Sequence, residues 1–383
     1  MQKVLLVDTN FSAVPIYDYL VDSGFEVFVC SSNPLDFLPK TTCNYINLDY
    51  SDITKVKSLI DALGIDYIVP GCNDCSYQVC AALNIDGHYP GLDSIAITET
   101  LNNKRKFRAF ATQIGIPVPR VISEQKIGDV WPLIIKPVDA YSGRGVTVIT
   151  QFERNNLSAA IDQARQYSRS QMYLIEEYVD GQLYSHSAFI DANGEIQQDF
   201  IVEEHSSANP FVVDTSYVVN DFSGQILQRI REDVQYMAKH LILVAGLIHT
   251  QFILKDGKYW IIEVTRRCPG DLYAQMIQYS TGFRYAEAYS AHFIGRGFAG
   301  VQKMHLDYIL RHTVSQPENG VFRSIQFNTK LQIQKFLPCC LAGDSVKASP
   351  FGRIGLLFAR TESYEELISL MQLAIERKLY ILH

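Results

Sequence analysis

Long hydrophobic runs are missing from this chain. No apolar stretch in the 383 residues approaches the roughly 20 residues that a membrane-spanning helix needs, so a membrane partner is not expected. The apolar part of the opening "MQKVLLVDTN" is too short for a secretory leader. Long basic runs are also absent and the formal net charge is −7, which argues against a nucleic-acid groove. Eight cysteines without a leader point to reduced thiols and a cytoplasmic location. Cys72, Cys75 and Cys80 lie in "GCNDCSYQVC", but no second C-x-x-C or paired histidine completes a four-ligand zinc site. Neither a metal nor a redox role is assigned to them.

Glycine is missing where a dinucleotide site would need it. The turn after the first strand reads "DTNFSAVP", whereas G-x-G-x-x-G supplies close backbone approach to a pyrophosphate. An NAD-dependent oxidoreductase is therefore disfavoured. The P-loop pattern G-x-x-x-x-G-K-[ST] is absent as well.

What is present is the composition of a globular protein, 47% hydrophobic and 20% charged, in a chain too long for one ordinary domain. "KVLLVD", "EVFVC" and "IDYIVPG" read as strands, alternating with helices over Phe11 to Asp22 and Ile53 to Leu63. That alternation predicts βαβ units, a parallel sheet and a Rossmann-like first domain over 1–99. A charged helix is predicted from Asn102 to Ile114, followed by the extended "GIPVPR". Period-two strands then dominate, interrupted by helices at about Glu153 to Ser168 and Gln225 to Gly246. The last segment has short strands, many turns and a final helix near Tyr364 to Arg377.

Four stretches carry chemistry. Lys136 sits inside the apolar "LIIKPV", where a lysine either snorkels from a sheet edge or meets an anion. The "SGRGV" turn, Ser142 to Val146, can fold its N–H groups over phosphate oxygens or be a plain hairpin turn. "YLIEEYV" ends an apolar strand on two acids, Glu176 and Glu177; a strand edge with one carboxylate can read adenine, or simply face solvent.

The fourth stretch is "YWIIEVTRRCPGD". Alternation puts Glu263, Thr265 and Arg267 on one face and Val264 and Arg266 on the other. If "DGK" (Asp256 to Lys258) is a three-residue loop, Lys255 pairs with Tyr259 and Gln251 faces Glu263; a two-residue loop would put them on opposite faces. With the longer loop, Gln251, Glu263 and Thr265 converge as oxygen ligands of the kind Mg²⁺ selects, with Arg267 beyond. An ion pair in a half-exposed strand is the other reading.

Taken in order, Lys104 in "NNKRKF", then "GIPVP", "IIKP" with "SGRG", "IEEYVDG" and "Q…IEVTRR" resemble the ATP-grasp superfamily. The likeness is to its biotin-carboxylase, carbamoyl-phosphate-synthetase and amino-acid-ligase branch, over about residues 100 to 300. The resemblance implies an α/β and α+β fold: a Rossmann-like pre-grasp domain, an ATP-grasp domain over 100–305 with a glycine-loop lid at about 131–185, and a small C-terminal α+β domain over 306–383. It implies that Lys104 and Lys136 contact ATP phosphates and that Ser142, Gly143, Arg144 and Gly145 form the phosphate loop. Glu176 would meet the adenine amino group, and Glu177, Tyr178 and Val179 would offer backbone hydrogen bonds. Gln251, Glu263 and Thr265 would hold one or two Mg²⁺ ions, with Mn²⁺ able to substitute, and Arg267 and Lys136 would be catalytic.

Two positions depart from the family pattern: Thr265 stands where an Asn is usual, and Leu183 where a ribose-binding Glu is usual. The function implied is an ADP-forming carboxylate–amine ligase working through an acyl phosphate. Its partners would be a small carboxylate and an amine, amino acids among them, and a homodimer is compatible with it. A biotin-carboxylase type of carboxylase and a non-catalytic ATP-binding module are the alternatives.

Overall fold

The centre of the N-terminal sheet is apolar because both of its faces are covered, with Val4 to Val7, Ile68 and Val69 fully buried. In the computed structural model, which describes residues 1–128, 130–140, 143–297 and 305–383, β1 (Lys3–Val7), β2 (Glu26–Ser31), β3 (Tyr45–Asn47) and β4 (Tyr67–Pro70) run parallel in the order β3-β2-β1-β4. Helices α1 (Val14–Asp22), α2 (Ile53–Leu63) and α3 (Asp74–Leu83) pack around them. Asp52 caps α2 by accepting from Lys55 N, and Asn73 caps α3 by accepting from Ser76 N.

The single charged helix expected from Asn102 is two helices. α4 (Ile95–Asn102) stops where Asn103 leaves helical geometry and caps α5 (Lys104–Gln113), accepting from both Arg105 N and Lys106 N. Lys104 is thus the first residue of α5, and Arg108 follows one turn later on the same face.

A small antiparallel sheet comes next, β5 (Leu133–Pro137) flanked by β6 (Thr147–Ile149) and β7 (Tyr173–Glu177), with α6 (Leu157–Tyr167) across it. This unit has its own core of Ile122, Leu133, Ile135, Ile149, Ala164 and Ile175.

The largest sheet has eight strands. β8 (Gln182–Ile190), β9 (Ile196–His205), β10 (Thr215–Val218), β11 (Gly246–Lys255), β12 (Lys258–Thr265) and β13 (Tyr308–Val314) are ordered β12-β11-β8-β9-β10-β13. The strands Gly355–Thr361 and Gln332–Pro338 extend it beyond β13. Pairing of β10 with β13 therefore carries one sheet across residue 305 into the C-terminal segment. Helix α7 (Gly224–Leu241) covers one face through Ile230, Val234 and Met237; it ends five residues before the expected Gly246, because Ile242 turns left-handed at φ 53°. α8 (Tyr273–Thr281) and α9 (Tyr285–Ala291) join the core of the N-terminal sheet. Among the described residues, no helix is long and apolar enough to cross a membrane.

Candidate active site

The hairpin of β11 and β12 puts Gln251 opposite Glu263, but not through the loop expected. Asp256 and Gly257, at φ 49° and 71°, form a two-residue turn and Lys255 pairs with Lys258. An unbroken ladder from that turn would bring Gln251 opposite Ile262 and throw Glu263 onto the other face. A bulge prevents this: Phe252 pairs with Ile261 and Gln251 with Glu263, so Ile262 is the extra residue. Arg108 Nη2 donates to the Ile262 carbonyl at 2.8 Å, which ties α5 to the bulge.

Three successive cross-strand rows then share one face of the sheet: Glu204 with Leu183, Ser185 with Gln251 and Glu263, and Ser187 with His249 and Thr265. This face is one wall of a cavity of about 950 Å³. The opposite wall comes from the C-terminal ends of the N-terminal parallel strands, and Gly143 and Arg144 reach in from the small sheet. Among the expected site residues, the cavity gathers Gly143, Arg144, Gln251, Glu263, Thr265 and Arg267. Lys104 stands at its edge, its Nζ 3.9 Å from Glu263 and donating to Ala140 O at 3.1 Å.

Arg267 is held rather than loose. Its Nε and Nη2 donate to the two carboxylate oxygens of Asp74 at 3.0 and 3.2 Å. Burial alone would lower the Arg267 pKa, but Asp74 outweighs it and the net direction is upward. Thr265 Oγ1 donates to the same Asp74 at 3.2 Å, so this hydroxyl is turned toward the N-terminal sheet and not toward the Gln251–Glu263 pair. Arg266, on the other face, donates to Asp93 at 2.7 Å and to the carbonyls of Leu247 and Val244, both at 2.5 Å. It is a buried cation with its donors satisfied, which fits a structural role.

Glu176 is placed away from the cavity lining. Its carboxylate is completely buried between Arg108 Nε, 2.5 Å away, and Lys136 Nζ. A strand carboxylate with two cations in contact is held inside the protein and does not open onto the cavity. Burial pushes its pKa up, yet Arg108 and Lys136 prevail and hold it below the usual carboxylate range. For Lys136 the balance is opposite: burial pulls the ammonium down to about 8 despite Glu176. The N–H groups of Glu177 and Tyr178 donate to Arg120 O and Pro132 O, which narrows the expected backbone donors to Val179.

The phosphate-loop expectation is placed only in part, since Ser142 lies outside the described residues. Gly143 and Gly145 have φ of 65° and 70°. A Cβ at Gly143 would come within 2.7 Å of Phe211 O, and one at Gly145 within 2.8 Å of Tyr167 Cβ. Both therefore need glycine for conformation and for close packing.

Sequence reasoning missed Arg108, Asp74 and Glu204. Arg108 had a readable signal, lying four residues after Lys104 on a helix face. Asp74 and Glu204 had none.

Comparison with known proteins agrees with this architecture. Residues 130–275 match the model of the ATP-grasp domain. The carbamoyl phosphate synthase large chain of Gemmatimonas aurantiaca is 21% identical over 280 residues, covering 68% of this chain but only 25% of that protein. Phosphoribosylamine–glycine ligase of Thermococcus gammatolerans is 23% identical over 290 residues, 69% of this chain and 66% of that one. The crystal structure of L-amino acid ligase from Bacillus licheniformis superposes with a TM-score of 0.78 at 17% identity, covering 99% of this chain and 98% of that one.

Proposed function

From a chain that carries an ATP-grasp domain, we propose an ADP-forming ligase that joins a small carboxylate to an amine in the cytoplasm, with 1–99, 100–305 and 306–383 as its domains. The observation that carries the reading is the meeting of Arg267, fixed by Asp74, with the Gln251–Glu263 pair in one cavity. A carboxylate oxygen attacks the γ-phosphorus of ATP, the bond to ADP breaks, and an acyl phosphate results. The amine then displaces phosphate. Phosphoryl transfer of this kind depends chiefly on positioning and charge neutralisation. Arg267 serves that end toward the transferred group.

The residues present fit a hard dication. Glu263 and Gln251 are oxygen donors facing each other, and Glu263 is only 3.9 Å from Lys104, too far for a hydrogen bond. The Gln251 nitrogen donates to Glu204 at 2.7 Å, which leaves its oxygen as an acceptor. Mg²⁺ or Mn²⁺, when bound there, neutralises charge on the phosphates. Lys104 and Lys136 supply further positive charge, Gly143 to Gly145 enclose the phosphates, and a purine edge along β7 meets the N–H of Val179.

Pairwise screening of amino acids and small acids for phosphate release tests the reading. ADP and phosphate are the expected products; AMP and pyrophosphate would overturn it. A second expectation concerns pH. If the ammonium form of Lys136 serves ATP, kcat/KM for ATP is level below pH 7 and falls about tenfold per unit above the pKa of about 8. Lys136→Arg, which stays charged, should move that limb upward. An unmoved limb would assign it to another group.

A further inference from the structure

Charged and polar side chains dominate the cavity wall, with one exception. Phe211, Val212 and Val213, on the loop between β9 and β10, form its longest run of apolar side chains among the described residues. All three are half-buried and keep part of their surface on the cavity. The loop is built to hold them there. Asn209 Oδ1 accepts from Phe211 N at 2.9 Å, and the Asn209 carbonyl accepts from Val212 N at 3.0 Å. The Asp214 carboxylate accepts from Ser207 N, Ser207 Oγ and Thr215 Oγ1 at 2.8, 2.6 and 2.9 Å, which closes the loop on itself. Asp214 N donates to His205 O at 3.0 Å, and Asp214 O accepts from Thr313 N of β13 at 2.7 Å. A strip fixed at both ends does not turn inward to hide its apolar surface, so contact with a ligand is what covers it.

The position of the strip points to the class of ligand. Gly143, in the turn assigned above to the phosphates, packs on Phe211, whose carbonyl would lie 2.7 Å from a Cβ there. β10 stands three strands from β11, about 14 Å at the usual strand spacing. That leaves the width of a small acid or amine between the Gln251–Glu263 pair and the strip. The purine edge is assigned to β7, in a different sheet, and does not need this surface. A cavity of about 950 Å³ is at the upper end of the size of single-ligand sites, with room for a second molecule beside the nucleotide. We propose that Phe211, Val212 and Val213 select a substrate with an apolar side chain. One of the two molecules joined by the enzyme is then an acid or an amine bearing a branched aliphatic or aromatic group of leucine to phenylalanine size. This rests on the ligase reading above. No bond forms or breaks at the strip, which acts by taking apolar surface out of water. Each methylene in a fitted apolar pocket is worth about tenfold or more in kcat/KM. A charged side chain laid against the same carbon surface would lose hydration without compensation.

The test takes the pair found by the phosphate-release screen and varies each partner in turn through glycine, alanine, leucine, phenylalanine and aspartate. In the wild type, one position should favour leucine or phenylalanine over glycine and aspartate by about tenfold or more in kcat/KM. The order of the two residues in the product shows whether the acid or the amine carries the apolar group. Val212→Thr combined with Val213→Thr keeps the shape of the strip and adds two hydroxyls. It should lower the apolar preference by about tenfold, with KM for ATP within about threefold of wild type. Val213→Phe, which fills the space, should turn the preference toward glycine and alanine. Both variants leave Gln251, Glu263 and Arg267 in place, and circular dichroism melting checks that each is folded. A wild type that favours glycine or aspartate at both positions would overturn the proposal. So would an apolar preference that neither folded variant moves. A KM for ATP that rises while the preference holds would overturn it too and give the strip to the nucleotide. Release of no phosphate with any pair is a distinct result, which removes the ligase reading and this proposal together.

Discussion

Glu263→Gln should reduce phosphate release by about a thousandfold or more at saturating Mg²⁺, with the fold intact. The exchange is nearly isosteric and, on the proposed role of Glu263, removes one negative charge from the metal site. In the protein itself that charge forms a half-exposed ion pair with Lys104 at 3.9 Å, beyond hydrogen-bond reach, and acts at longer range on Arg267, which Asp74 already holds. The backbone position is secured independently, by the Ile262 bulge and by Arg108 on its carbonyl. Thermal unfolding should therefore shift by no more than a few degrees. Gln251→Ala should be milder, since a neutral donor contributes less to a dication site than a carboxylate. Steady-state phosphate release, read beside circular dichroism melting, decides the matter. Wild-type-like turnover of Glu263→Gln would remove this residue from the metal site.

The hairpin shows where sequence stops being informative. Alternation correctly set Glu263 and Thr265 on one face, because side chains alternate in any strand, while Arg267 lies past the end of β12 and still reaches the same cavity. Face-sharing with Gln251 depended on loop length plus bulge, and a bulge at Ile262 leaves no mark in "YWIIEV". The three-residue loop and the two-residue loop with a bulge give the same pairing, so the right neighbours were reached by the wrong path. Lys136 stood out as a charged residue in an apolar strand, whereas Lys104 was singled out by the resemblance alone, since the helix break at Asn103 was not foreseen. Asp74 was not, since it meets Arg267 across 193 positions and nothing local distinguishes it from an ordinary first-turn acid. Glu204 was hidden for the same reason: it faces Gln251 through strand order, not through sequence neighbourhood. The extension of the large sheet by β13 likewise follows from a pairing that no local pattern encodes.

Glu176→Gln should be the most damaging single change to the fold of this region, costing about 3–5 kcal/mol. The carboxylate is fully buried and lies between two buried cations, Arg108 at 1% and Lys136 at 8% exposure. Removing its charge leaves both cations without compensation. Lys136 can escape by losing its proton, since burial has already drawn it down to about 8. Arg108 cannot, because a guanidinium stays charged at any working pH. Its Nη2 bond to Ile262 O would then carry the whole burden, and the consequence reaches the bulge that presents Glu263. Lys136→Met should cost less, as Glu176 keeps Arg108. Replacing all three, as Arg108→Met, Lys136→Met and Glu176→Leu together, should recover stability relative to Glu176→Gln, because no buried charge is left. Denaturant unfolding of the single and triple variants at pH 7 measures this directly. A cost below about 1 kcal/mol for Glu176→Gln, or a triple variant less stable than the single one, would mean that water reaches the Arg108–Glu176–Lys136 cluster.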